Sequence, residues 1–319
     1  GADDLILAPD RLVYAKGNGG IAPITTASVS GDRCSALLTP LLSTSLATRL
    51  ETKRDVDFSY VVRASGARFR VNLFRQRGGL SAVFHAVRGT VPALEQLGLP
   101  ALVSTWCNYK NGLVVIAGPT SSGKSTTLAA LLDEMNRKSS RHIISIEDPI
   151  EVLHAPKSSL VNQREVGTHT RSFAAALRSA LREDPDVLMI GEMRDLETIA
   201  LALTAAETGH LVFGTINTIS SDQAVERIVN TFPRAQQEQA RSSLGDVLRA
   251  MVCQTLVRGK DGKTRHLASE IMINNEAIAN LIRKGKSMQI PSIIATASDT
   301  GMQTLEQDLA RLIKSGAVD

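Results

Sequence analysis

The 319-residue chain is poor in aromatic side chains, with one Trp, three Tyr and seven Phe. Proteins that track single-stranded nucleic acid stack bases on such rings, so this composition argues against a base-stacking groove. Cysteine is equally scarce. Cys34, Cys107 and Cys253 stand far apart and no C-x-x-C pair occurs. That leaves no framework for a zinc module and points to a reducing, cytosolic compartment, with the three thiols as small apolar filler. No run of 18 apolar residues occurs, so no bilayer-spanning helix is expected. No secretory leader is read at the N-terminus, where Gly1 looks like a trimmed start.

What is present is ordinary globular material, 43% hydrophobic and 21% charged, in a length that suggests two domains. The net charge of +4 is unevenly spread: residues 1–110 carry 13 basic and 8 acidic side chains, residues 111–319 carry 23 and 24. Six arginines fall between Arg63 and Arg88. Such a cluster can meet nucleic acid, acidic lipid or the phosphates of a nucleotide, or form a solvated strand face.

The first part reads as α+β. Short strands are expected at 5–7 and 11–15, a turn at Gly17, Asn18, Gly19 and Gly20, helical spacing over 29–50, and three strands at 58–63, 68–74 and 81–87. After a boundary in the Pro- and Gly-containing stretch 89–111, strand and helix alternate. Strands are expected at 113–117, 143–147, 186–190 and 211–216, with helices at 126–136, 172–183 and 196–208. Alternation of this kind builds a parallel sheet covered on both faces. From 222 onward helices are expected to dominate, with one strand at 270–273. The fold class is therefore α/β, divided as an N-terminal domain over 1–100, a linker over 101–111 and a second domain over 112–319.

Residues 118–125 read G-P-T-S-S-G-K-S, the G-x-x-x-x-G-K-[ST] phosphate loop, between an apolar strand and a helix. Gly118, Pro119, Thr120, Ser121, Ser122 and Gly123 turn successive backbone N–H groups toward an anion, at the positive end of the helix. Lys124 is expected to reach the β- and γ-phosphates of ATP, and the Ser125 hydroxyl to ligate Mg²⁺. Acidic and polar groups follow the parallel strands, where such sheets bind ligands: Glu147, Asp148 and Glu151 after the strand at 143–147, Glu192 after 186–190, and Asn217 after 211–216. Hydrolysis of a γ-phosphate needs a metal holder, a group that orients water and positive charge on the transition state. Glu192 suits Mg²⁺ through its water shell, and Glu151 or Glu147 suits the water.

The chain resembles the PilT-like twitching-motility (type IV pilus retraction) ATPases, within the type II/type IV secretion ATPase superfamily. The resemblance is carried by F-R-V-N (69–72), I-E-D-P-I-E (146–151), V-N-Q-R-E-V (161–166), A-L-R-S-A-L-R-E-D-P-D (176–186), G-E-M-R-D-L-E-T-I (191–199), A-L-T-A-A-E-T-G-H-L-V-F-G-T (202–215) and G-M-Q-T-L (301–305). It implies a PAS-like N-terminal domain, a RecA-like ATPase domain and a homohexameric ring. The loop from Gly118 to Thr126 matches the Walker A motif, with Lys124 catalytic. Glu147 and Asp148 match the Asp box, with Glu151 at the catalytic glutamate. Glu192 matches the Walker B glutamate and His210 the first histidine of the His box. Residues 277–284, A-I-A-N-L-I-R-K, resemble a motif tied to retraction, with Ala279 and Lys284 departing from it. Asn217 stands where the family usually has a second histidine, and D-L-I-L at 4–7 replaces a D-L-H-L-like segment.

The resemblance further implies that Arg68, Arg70, Arg75, Arg77 and Arg88 are candidates to reach a neighbouring subunit's γ-phosphate. It implies a motor on the cytoplasmic face of the inner membrane, partnered by a pilus platform protein and by a related retraction ATPase, with no nucleic acid expected. Three other readings are a pilus-assembly or secretion ATPase, a non-hydrolysing accessory subunit prompted by Asn217, and a nucleic-acid-translocating ring motor.

Overall fold

The computed structural model describes residues 4–17, 20–87 and 91–319. Asn18 and Gly19 of the expected turn, and Arg88, lie outside the described residues. The chain divides into two compact units, Gly1–Thr90 with Pro149–Leu153, and Val91–Asp148 with His154–Asp319.

The first unit contains β1 (Asp4–Leu7), β2 (Tyr14–Gly17), β3 (Gly20–Pro23), α1 (Gly31–Leu38), α2 (Thr44–Lys53), β4 (Asp55–Val61), β5 (Arg68–Gln76) and β6 (Gly79–Val87). Its strands pair antiparallel in the order β3-β2-β1-β6-β5-β4. The helical stretch over 29–50 is two helices rather than one. Pro40 lies in a 3₁₀ turn between them, and the Ser43 hydroxyl starts α2 by accepting from Leu46 N. Alternate strand residues (Val56 and Phe58, Val71 and Leu73, Leu80 and Ala82) bury against Cys34, Leu38 and Leu50.

The second unit contains α3 (Leu102–Thr105), β7 (Gly112–Ala117), α4 (Lys124–Lys138), β8 (His142–Glu147), β9 (Leu160–Glu165), α5 (Phe173–Ala180), β10 (Val187–Ile190), α6 (Leu196–Glu207), β11 (Leu211–Ile216), α7 (Ser221–Asn230), α8 (Gln237–Val247), β12 (Leu248–Arg258), β13 (Arg265–Ile273), α9 (Glu276–Arg283), α10 (Ile290–Thr296) and α11 (Leu305–Lys314). The sheet order is β13-β12-β7-β11-β10-β8-β9. All neighbours run parallel except the β12–β13 pair. The expected α/β class therefore holds.

Every residue of β7, β10 and β11 is buried, as in a parallel sheet covered on both faces. Leu113, Val115 and Ala117 pack on one face with Leu177, Ile199, Val225, Leu244 and Ile282. Val114 and Ile116 pack on the other with Leu128, Leu131, Met135 and Trp106. Leu94, Val103 and Trp106 belong to this second face, so the stretch before β7 is built into the unit.

In the second unit two strands depart from the sequence expectation. β9 forms a sheet edge beside β8. β12, 11 residues long, lies where helices were expected to dominate. Leu248 and residues 250–254 are buried, so no alternation of two shows, and the strand follows α8 with no Gly or Pro between them.

The three cysteines are free and buried. Burial pushes the Cys107 thiol up to about 12 and raises Cys34 and Cys253 as well. None offers a thiolate near neutral pH, in keeping with a packing role. Among the described residues no helix is long and apolar enough to cross a membrane.

Candidate nucleotide site

β7 delivers the chain to the loop at its carboxyl end, and α4 begins at Lys124. The loop needs backbone conformations that side chains rarely adopt: φ is 154° at Gly118, 65° at Ser121 and 90° at Gly123. A Cβ at Gly118 would run into the Gln254 carbonyl and the Ser122 hydroxyl, so only glycine fits there. Ser122 N donates to Pro119 O at 3.2 Å, closing the turn. Lys124 Nζ donates to Gly118 O and Pro119 O, each at 2.8 Å. Pro119, Thr120, Ser121, Ser125 and Thr126 are exposed, whereas Ser122 is buried.

The parallel register brings the ends of β7, β11, β10 and β8 level, with Ile216 opposite Ala117 and Ile190 opposite both Gly214 and Ile146. Glu192 and Asn217 follow β10 and β11, and their side chains meet. Asn217 Nδ2 donates to Glu192 Oε1 at 2.6 Å. Arg194 pairs with the other oxygen, Glu192 Oε2, while the Glu192 side chain keeps 19% exposure. That hydrogen bond raises Arg194 above the ordinary arginine range, and the charges of Glu192 and Asp148 add to it. Next to this pair, Thr215 Oγ1 donates to Gly191 O at 2.5 Å and Met193 N to Thr215 O at 2.9 Å, so the turn carrying Glu192 is tied to β11. At the end of β8, Glu147 Oε1 accepts from Ser145 Oγ at 2.6 Å and Gln163 Nε2 at 3.0 Å.

Other expected site residues fall elsewhere. His210 precedes β11, so the whole strand separates it from Asn217, on the order of 20 Å. Its Nδ1 lies 3.1 Å from Ala205 O and 3.3 Å from Thr208 Oγ1, at the amino end of the sheet. Within the chain His210 therefore does not join the phosphate loop. Glu151 is exposed and lies in Pro149–Leu153, the segment grouped with the first unit.

The arginines also belong to the first unit. Arg68 and Arg70 occupy β5 positions alternating with the buried Val71 and Leu73. Arg70 Nε lies 3.7 Å from Asp57 Oδ1. Arg75 and Arg77 are exposed, and Arg88 is outside the described residues.

Two contributors escaped the sequence reading. Arg194 stands out in the sequence only as part of the stretch 191–199; its place two residues after Glu192 is the available signal. Gln254 lies on β12 and contacts the loop directly. Among the described residues, no three His, Cys, Asp or Glu side chains gather into a metal-binding cluster.

The family described as Type II/IV secretion system protein matches residues 81–317. The chain is 45% identical to the type IV pilus retraction ATPase PilT of Pseudomonas aeruginosa, covering 100% of this chain and 92% of that protein. It is also 45% identical to a twitching motility protein of Neisseria gonorrhoeae, covering 94% and 80%. Among solved structures, the pilus retraction motor PilT with bound ADP superposes with a TM-score of 0.91 at 44% identity, covering 100% of this chain and 91% of that one. The chain belongs to the Type II/IV secretion system protein family.

Proposed function

We propose that the chain is an ATP-hydrolysing motor that powers type IV pilus retraction as a homohexameric ring at the cytoplasmic face of the inner membrane. The observation that carries this reading is the formed phosphate loop at the same end of the sheet as Glu192, in a chain similar over its full length to a pilus retraction ATPase. The loop's backbone N–H groups and Lys124 bind the phosphates of ATP. Ser125 and Thr126 present hydroxyls on the first turn of α4, and Glu192 presents a partly exposed carboxylate. This all-oxygen set fits Mg²⁺, which prefers few protein ligands and retained waters. Bound there, Mg²⁺ would neutralise charge on the β- and γ-phosphates.

Glu151 is assigned to orienting the attacking water, with Glu147 and Asp148 shaping the same end of β8. Arg68, Arg70, Arg75, Arg77 and Arg88 form the pool from which a neighbouring subunit supplies positive charge to the transition state. The partners in this reading are a platform protein of the inner membrane and a related retraction ATPase.

The test is a pilus count in cells lacking the chain. Loss should leave cells with more surface pili and no twitching. Wild-type protein should restore retraction and Lys124→Ala should not. Normal retraction without the chain, or with Lys124→Ala, would exclude this role.

A further inference from the structure

β12 runs parallel beside β7 with Cys253 opposite Ala117. The next residue, Gln254, therefore comes level with Gly118, the first residue of the phosphate loop. Gln254 is 2% exposed. An amide buried to this degree is costly unless its donor and acceptor both find partners. Both do. Gln254 Nε2 donates to Ser122 O at 2.8 Å, and Gln254 Oε1 accepts from Thr127 Oγ1 at 3.0 Å. One contact is to the loop and the other to the first turn of α4.

The consequence follows from peptide geometry. In the trans peptide joining Ser122 to Gly123, the carbonyl and the N–H point in opposite directions. Holding the Ser122 carbonyl against Gln254 turns the Gly123 N–H away from β12. Ser121, Ser122 and Gly123 supply the alternating backbone of an anion nest, with φ of 65° at Ser121 and 90° at Gly123. Fixing this one peptide therefore sets the direction of one phosphate-facing donor, and the Thr127 bond holds the helix turn that carries Lys124 and Ser125.

We infer that Gln254 is a positioning residue for the nucleotide, locking the Ser122–Gly123 peptide and the start of α4 in the orientation that receives a phosphate. The inference rests on reading the loop as the nucleotide site. Neither leucine nor an ionised glutamate can reproduce the bridge. Leucine leaves the Ser122 carbonyl and the Thr127 hydroxyl buried without their partner. Glutamate at neutral pH still accepts from Thr127 but sets a carboxylate oxygen against the Ser122 carbonyl. Once protonated, the same carboxyl can donate to Ser122 O and accept from Thr127, as the amide does.

The test measures Mg-ADP affinity of full-length wild-type, Gln254→Leu and Gln254→Glu proteins from about pH 5.5 to pH 8, each variant relative to wild type at the same pH. Burial raises the introduced carboxyl's pKa toward this range. Gln254→Glu should bind about tenfold more weakly than wild type at pH 8 and recover to within about threefold at the acid end. Gln254→Leu should be weaker throughout. If the leucine variant does not fold, the glutamate variant carries the test alone, because its recovery is read within one protein. ADP binding by both variants within twofold of wild type at every pH, or a glutamate deficit that pH does not change, would overturn the inference while leaving the site intact. A wild-type protein that binds no ADP would overturn the reading of the loop, and this inference with it.

Discussion

Glu192 is held from two sides, by Asn217 Nδ2 on one oxygen and Arg194 on the other. Replacing it with Gln keeps the shape and removes the charge. Hydrolysis should slow about a hundredfold or more while nucleotide stays bound, because the charge matters chiefly near the transition state. Asn217 can hold Glu192 at any pH since its amide does not titrate. Asn217→His places a titratable ring against a carboxylate, which favours its protonated form. The pH–rate profile of that variant should gain an inflection between about pH 6 and 8 that wild type lacks; superimposable profiles would show that this contact lies outside the rate-limiting chemistry. His154 supplies a separate pH test. Burial lowers its pKa to about 4, against a smaller opposing effect of Asp133. Its folded pKa lies below the unfolded value of 6.5, so the unfolded chain takes up a proton first. Stability is full above about pH 6.5 and falls as pH drops toward 4. His154→Leu should flatten the loss of melting temperature over that window, and an unchanged slope would exclude His154 as its source. Sequence alone singled out Glu192 and Asn217, because each follows an apolar strand at the end where ligands bind. It could not show that they touch, nor that Arg194 shares the carboxylate, because those facts depend on the register of β10 against β11.

Among the elements, β7 and α4 were legible because a fully apolar strand, a Gly-rich turn and an amphipathic helix each leave a separate local mark. β12 was not. A strand buried on both faces and joined directly to a helix has neither alternation nor punctuation, so Gln254 was hidden with it. α9 was legible in the i, i+3, i+4 spacing of Ile278, Leu281 and Ile282: the two isoleucines are fully buried and Leu281 packs beside them. Asn275 caps the helix by accepting from Ile278 N at 2.9 Å. Asn280 and Arg283 stay exposed, and Arg283 Nη2 lies 2.6 Å from Asp246 Oδ1. They line a cavity of about 710 Å³ with Asp246, Arg249 and Asn274, near the amino end of β12 and so away from the phosphate loop. Exposed ion pairs contribute little to stability, about 0–1 kcal/mol. Polar substitutions at Asn280 and Arg283 should therefore leave folding and ATP turnover near normal while abolishing retraction in cells. Parallel loss of turnover would assign α9 to the catalytic fold, and normal retraction would reduce it to packing.

At the scale of the whole molecule, the arginines lie in one unit and the phosphate loop in the other. A closed ring with a head-to-tail interface can complete each site from two subunits. Mixing an Arg70 and Arg75 double variant with Lys124→Ala protein should then restore part of the lost activity, since some interfaces pair an intact loop with intact arginines. Absence of rescue at every ratio would reject the shared site. The most direct measurement is steady-state phosphate release from ATP by purified wild-type protein, with and without Mg²⁺, beside Lys124→Ala and Glu192→Gln. Wild type should show Mg²⁺-dependent turnover, Lys124→Ala should lose both nucleotide binding and turnover, and Glu192→Gln should keep binding with turnover slowed about a hundredfold or more. Wild-type rates in both variants would contradict this reading of the site.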